Sequence, residues 1–212
     1  MKLSLLLLLG IIITSGCAQT SRNSRSISLF DGKTFNGWEG ETQTIWKIRE
    51  GAIVGGSLAA KTPHNEFIKT TRPYTNFVLE LKFKLVGTEG FVNGGVQFRS
   101  IKSTKPAYEM IGYQADMGEG WWGCLYDESR RDKVLQRPDP VAVDKVLHRQ
   151  EWNDYRVRCE GNRIQIWLNG LMTVDYLEPD PTIAGSGLLG LQVHGGGQTE
   201  AWYKDIRITP LP

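Results

Sequence analysis

In residues 77–86, Phe77, Leu79, Leu81, Phe83 and Leu85 alternate with Val78, Glu80, Lys82 and Lys84. A period of two over ten residues is a strand with one buried face and one wet face; a helix would scatter the same residues around its circumference. The pattern repeats at 94–100, where Val96 and Phe98 oppose Gln97 and Arg99, and at 163–169, where Ile164, Ile166 and Leu168 oppose Gln165, Trp167 and Asn169. It repeats again at 188–194, where Leu189, Leu191 and Val193 oppose Gln192 and His194. Weaker strands are predicted at 46–48, 52–55, 108–116, 123–126, 155–160 and 202–209. Asn169-Gly170 supplies a tight hairpin turn. Short strands spaced ~8–12 residues apart make a sandwich or a barrel. One apolar face per strand suits a core between two sheets. The 24 Gly and nine Pro in 212 residues leave little room for helix, Gly being well above its usual ~7 %. Residues 139–150 hold the best helical pattern. The expected fold is all-β, one domain over 27–212, with no internal repeat.

The first residues read as an address. Lys2 precedes an apolar run over 3–13, too short for a permanent span, which takes ~20 residues. Thr14, Ser15, Gly16 and Cys17 follow, an order that resembles a bacterial lipoprotein signal with Cys17 as the lipidated residue. The expectation is a leader over 1–16, a Ser/Arg/Asn-rich tether over 17–26, and export to the cell envelope, on the outer membrane facing periplasm or surface. The membrane is then met through the lipid anchor alone. A formal charge of +2 is too balanced for a dedicated nucleic-acid binder. Three Cys without a Cys-x-x-Cys pair argue against a disulfide scaffold and a structural zinc site. Cys124 and Cys159 fall in predicted strands and read as buried thiols, with a disulfide between them the alternative in an oxidising compartment.

The wet faces carry unusual residues. Gln97 shares a face with Arg99, Gln114 with Asp116, Gln192 with His194, and Trp167 with Asn169. Directed polar groups beside aromatics are what sugar recognition needs: amides, acids and Arg read hydroxyls, and an indole stacks on a pyranose face. Residues 112–131 concentrate the theme with Tyr113, Asp116, Trp121, Trp122, Tyr126, Asp127, Glu128, Arg130 and Arg131. Such a mixture suits a site; acids paired with Arg130 or Arg131 would instead be structural.

Leu29-Phe30-Asp31-Gly32-Lys33, Gly37-Trp38 and Trp46-Lys47-Ile48 are similar to the opening of the 3-keto-disaccharide hydrolase family. The likeness continues through Asn93-Gly94-Gly95-Val96-Gln97-Phe98-Arg99, Tyr108-Glu109, the 112–131 block and Glu151-Trp152-Asn153. It runs on through Trp167-Leu168-Asn169-Gly170, Gly190-Leu191-Gln192-Val193-His194-Gly195 and Lys204-Asp205-Ile206-Arg207-Ile208. Gly112-Tyr113-Gln114-Ala115-Asp116 departs from the commoner Tyr-Glu-x-Gln-Ile arrangement and marks a subgroup. The resemblance implies a concanavalin A-like jelly roll of two antiparallel sheets acting on glycosides oxidised at C3.

A C3 ketone acidifies the C2 proton, so a base can form an enolate that expels the C1 substituent; water then adds back. Such a site needs a base, donors for the enolate oxygen and an acid for the leaving group. His194 is the first candidate base because imidazole titrates near neutrality; His64 and His148 fall in surface loops. Asp116 and Glu109 are reserve bases, and strand parity sets them on opposite faces unless a bulge intervenes at Gly112. Arg99 is the expected enolate or hydroxyl partner, beside Gln97, Gln114 and Gln192. Trp122, Tyr126, Asp127, Glu128, Arg131 and Trp167 complete the expected sugar contacts. No cofactor is required by this chemistry; Asp127 with Glu128 could hold a leaving sugar or a cation, and calcium could sit on Asp116, Asp127 and backbone carbonyls. A plain glycosidase would need two carboxylates ~5 Å apart, usually from a Glu-x-Asp-x-Glu string that the chain lacks. A non-catalytic carbohydrate-binding module is the alternative from another class.

Overall fold

The computed structural model describes residues 25–212. The leader over 1–16, Cys17 and the tether as far as residue 24 lie outside the described residues. Fifteen strands form: β1 Ile27–Ser28, β2 Trp38–Glu39, β3 Trp46–Arg49, β4 Ala52–Ser57, β5 Glu66–Thr70, β6 Phe77–Gly90, β7 Asn93–Lys102, β8 Met110–Gly118, β9 Leu125–Glu128, β10 Lys133–Gln136, β11 Asn153–Glu160, β12 Arg163–Leu168, β13 Leu171–Leu177, β14 Leu188–Val193 and β15 Gly197–Pro210. The back sheet runs β13-β12-β11-β6-β15-β4-β3, with β1 also on β15; the front sheet runs β10-β9-β8-β7-β14-β5-β2. All pairings are antiparallel.

The alternation read from the sequence sets the core. Leu79, Leu81, Phe83 and Leu85 of β6 turn inward with Val157 of β11 and Ile164, Ile166 and Leu168 of β12. They meet Val96 and Phe98 of β7, Ala115 and Met117 of β8, and Leu189, Leu191 and Val193 of β14. Each of these side chains larger than Ala115 stabilises the fold by ~1.5–3 kcal/mol on burial, so the parity of these strands is strongly held. The predicted helix is reduced to α1, Pro140–Asp144, because Asp139 caps Val141 N and the apolar periodicity ends within two turns.

Two tyrosines carry this core to the front sheet. Tyr203 on β15 crosses the interior and donates its hydroxyl to Gln192 O at 2.6 Å, with Gly95 O at 3.1 Å. Tyr155 on β11 donates to Asp116 O and accepts from Gly123 N at 3.0 Å. The backbone that bears Gln192 and Asp116 is thereby pinned from behind. Cys124 and Cys159 are free, buried thiols, and burial raises them to about 11 and about 12.

Candidate functional site

Because the inner face of the front sheet is apolar, its other residues must point outward. Register places Gln97 opposite Gln114, Gly95 opposite Asp116 and Gln192, and Gln114 opposite Tyr126. Polar side chains from β7, β8, β9 and β14 therefore share one surface. Gly95 leaves room for this: a Cβ there would meet the Gln114 side chain at 2.5 Å.

A hollow of about 220 Å³ opens on this surface, lined by Phe91, Asn93, Gln114, Asp116, Trp121, Tyr126, Glu128 and His194. Gln114 Nε2 donates to Asp116 Oδ1 at 2.8 Å and Gln192 Oε1 at 3.1 Å, and Gln192 Nε2 donates to Glu128 Oε2 at 3.4 Å. The two glutamines thus join the carboxyl groups through a buried floor. Gln97 lies in the same floor, with neither end of its amide partnered by protein. His194 N donates to Asn93 O at 3.1 Å, while Phe91 packs edge-on to the imidazole with centroids 4.6 Å apart. Trp121 and Tyr126 meet edge to face at 5.7 Å and form an aromatic wall.

Burial tunes the three titratable groups. It pushes the Asp116 carboxyl well up, against the Gln114 hydrogen bond and with help from the Glu128 charge. Glu128 rises to about 7, through burial first and then the Glu109 carboxylate. Burial lowers His194, so its ring is neutral near pH 7. His194 Nδ1 lies 2.7 Å from Gly195 O, which can only accept; the proton belongs on Nδ1 and the free lone pair on Nε2. The hollow thus holds a neutral imidazole, a carboxyl poised near neutrality and a second carboxyl that burial makes slower to ionise.

Several expected contacts lie elsewhere. Arg99 does not share the Gln97 face. Register slips between Phe98 and Ile101, Arg99 takes φ 48°, and the bulge re-aims its side chain. Its guanidinium donates to Thr75 O at 2.8 Å, Gly161 O at 2.7 Å and Asn76 Oδ1 at 3.3 Å, clamping the front sheet to the back one. Asp127 points inward, bound by Arg130 at 2.6 Å and by Arg131, which also reaches Glu178 at 2.8 Å. Asp116 and Asp127 therefore face opposite sides of the sheet and cannot share the calcium considered above. Among the described residues no three His, Cys, Asp or Glu side chains gather as a metal site. Trp122 stacks on Phe83 against the core at 6.3 Å, so its neighbour Trp121 is the indole in the hollow. Trp167 is on the outside of the back sheet under Arg156, 5.0 Å away.

Glu109 precedes β8 and is free of strand parity. It lines another groove, of about 490 Å³, with Phe67, Tyr108 and Met110. Asn65 Nδ2 donates to it at 2.9 Å, and Asn65 Oδ1 accepts from Gly195 N at 3.1 Å, tying that groove to the His194 turn. The sequence reading missed Asn93, Phe91 and Trp121. Asn93 was within reach, since it has the parity of Gly95 and Gln97.

Two antiparallel sheets around one core, with amides, acids and aromatics gathered on a single outer face, define a concanavalin A-like jelly roll with a polar hollow on the front sheet. Residues 25–209 match the 3-keto-alpha-glucoside-1,2-lyase-like domain, and the chain belongs to that family. It is 22 % identical over 237 aligned positions to the 3-keto-disaccharide hydrolase of Bacteroides thetaiotaomicron, covering 87 % of this chain and 78 % of that protein. A Parabacteroides distasonis crystal structure, provisionally described as a glycosyl hydrolase, superposes with TM-score 0.65 at 22 % identity over 88 % of this chain and 94 % of that one. The carbohydrate binding module CBM66 from Bacillus subtilis shares the fold with TM-score 0.62 at 18 % identity, over 82 % of this chain and 95 % of that one.

Proposed function

We propose that the chain cleaves 3-keto-glycosides in the front-sheet hollow. The observation that carries this reading is the meeting of Asp116, Glu128 and His194 in one cavity, each pushed by burial toward its uncharged form. His194 Nε2 takes the C2 proton, and the electron pair of that bond moves onto the C3 oxygen as an enolate. Asp116, kept protonated by burial, donates a hydrogen bond to this oxygen; a neutral carboxylic acid can do so where a carboxylate would repel it. Collapse of the enolate breaks the C1–O bond, and protonated Glu128 supplies the proton to the leaving oxygen. Water then adds across C1 and C2, its hydroxyl going to C1 and a proton returning to C2. Hydrolysis is the net result. Asn93 and Gln114 offer amides to sugar hydroxyls, and Trp121 with Tyr126 offers a stacking wall.

Likeness to a carbohydrate-binding module supports a second reading, capture of a glycan without turnover. Incubation with a 3-keto-disaccharide and with its unoxidised parent separates the two. Free sugar released from the keto form alone is the expected outcome. Cleavage of the parent, or saturable binding of both without products, would overturn the proposal.

A further inference from the structure

The outside of the back sheet carries a cationic cluster that the hollow does not use. Trp202 on β15 lies opposite Lys84 of β6 and Val54 of β4, and Lys204 lies opposite Lys82. Trp202 is 5 % exposed, with the Arg49 guanidinium 4.2 Å and the Lys84 ammonium 4.3 Å from its ring centre. Trp152 meets Trp202 edge to face and receives Lys204 Nζ at 4.0 Å and Lys84 Nζ at 5.1 Å. Two ammonium groups thus converge on one indole. Nearby carboxylates are already engaged: Glu200 by Lys47 and Arg49, Asp154 by Lys82. Among the described residues Lys84 and Lys204 have no carboxylate partner. Like charges side by side on adjacent strands destabilise a sheet, and here the indoles hold them in place.

β1, the first strand of the described residues, lies in this same sheet. β1 pairs with β15 at Ile208, four residues beyond Lys204, while the hollow opens from the opposite sheet. We propose that the Trp152–Trp202 face docks on an anionic phospholipid bilayer once the chain is anchored through Cys17, leaving the hollow turned away from the membrane. Ammonium groups with no carboxylate partner among the described residues complement the headgroup phosphates, and half-buried Trp152 suits the interface. A sugar ring is a poor occupant, since Trp202 is covered by its own cations. The inference is independent of the chemistry in the hollow.

The lipidated full-length chain, reconstituted in vesicles, is pulsed with an amine-acylating reagent and each lysine is read by mass spectrometry. In vesicles with about 30 % phosphatidylglycerol, Lys84 and Lys204 should label about fivefold more slowly than in pure phosphatidylcholine, with Lys33 and Lys133 unchanged. Salt at about 1 M should abolish the difference, because the Debye length falls to ~3 Å. The double variant Lys84→Gln, Lys204→Gln should lose the accompanying protection of Lys82. Equal labelling in both vesicles, protection centred on Lys133, or protection by a soluble acidic polysaccharide but not by anionic vesicles would overturn the proposal.

Discussion

Asp127 and Glu128 are neighbours in β9 with opposite surroundings. Asp127 turns inward and is fully buried between Arg130 and Arg131. The same inner network includes Glu178, held at about 2 by Arg131 and Tyr113 against the opposing effect of burial. Glu128 turns outward into the hollow, where no cation among the described residues pairs with it and its carboxyl rises to about 7. Both regions draw on the same acid- and aromatic-rich segment. Composition cannot separate them; the two-residue period of a strand does. Inward acids are neutralised by guanidinium groups and stabilise the fold, whereas outward acids are left with amides and keep a proton available.

The largest expected effect lies on the outward side. His194→Ala and Glu128→Gln should each lower turnover of a 3-keto-disaccharide by about 10²–10⁴-fold, with His194→Ala melting near the wild type and Glu128→Gln no lower than it. Steady-state kinetics beside calorimetry would show whether activity and stability separate as expected. Wild-type kcat/KM should follow a bell: the acidic limb tracks protonation of His194, and the alkaline limb, near pH 7, tracks loss of the Glu128 proton. Glu128→Gln should remove the alkaline limb from any residual rate.

On the inward side the sign of the comparison reverses. Arg131→Met leaves Asp127 and Glu178 buried beside a lost partner and should cost about 3–5 kcal/mol of stability in denaturant titrations. Substrate affinity should hardly change under conditions where the variant stays folded. Arg99→Ala sharpens the point, because parity alone puts Arg99 in the hollow and the bulge takes it out. Loss of its clamp on Thr75 and Gly161 should cost about 1–3 kcal/mol with KM unaltered. A raised KM with native stability would return Arg99 to the substrate face.

The smallest effect is a pH slope of stability. A free glutamate releases its proton near 4.5, but folded Glu128 keeps it to about 7, so between these values the folded state binds more protons. Its stabilising contribution is full below the unfolded value and is lost as pH rises through the folded one. Glu128→Gln should therefore raise Tm at about pH 8 by a few degrees and give no such gain at about pH 4.

Much of the fold was legible because burial enforces alternation: the pattern of 77–86 became the inner face of β6, that of 94–100 lies within β7, and that of 188–194 became β14, which ends at Val193. Gln114, Asp116, Gln192 and His194 came together for the same reason: the first two lie on the polar side of β8, weakly marked in the sequence, and the last two keep the parity of β14. Legibility ended where the backbone departs from period two. Arg99 was misplaced by one residue in a left-handed conformation, Glu109 by standing outside β8, and Trp121 was passed over for Trp122 because both lie in a turn. Trp167 had its parity read correctly, but alternation does not say to which sheet a strand belongs.

The proton at C2 offers the most direct test of the outward site's chemistry. With the enzyme in deuterated water and a 3-keto-disaccharide as substrate, NMR of the released keto sugar should show deuterium at C2 at a level far above spontaneous exchange, and His194→Ala should abolish the enzymatic part. Released sugar that retains its original hydrogen at C2 would contradict elimination and leave direct displacement at C1 as the chemistry of the hollow.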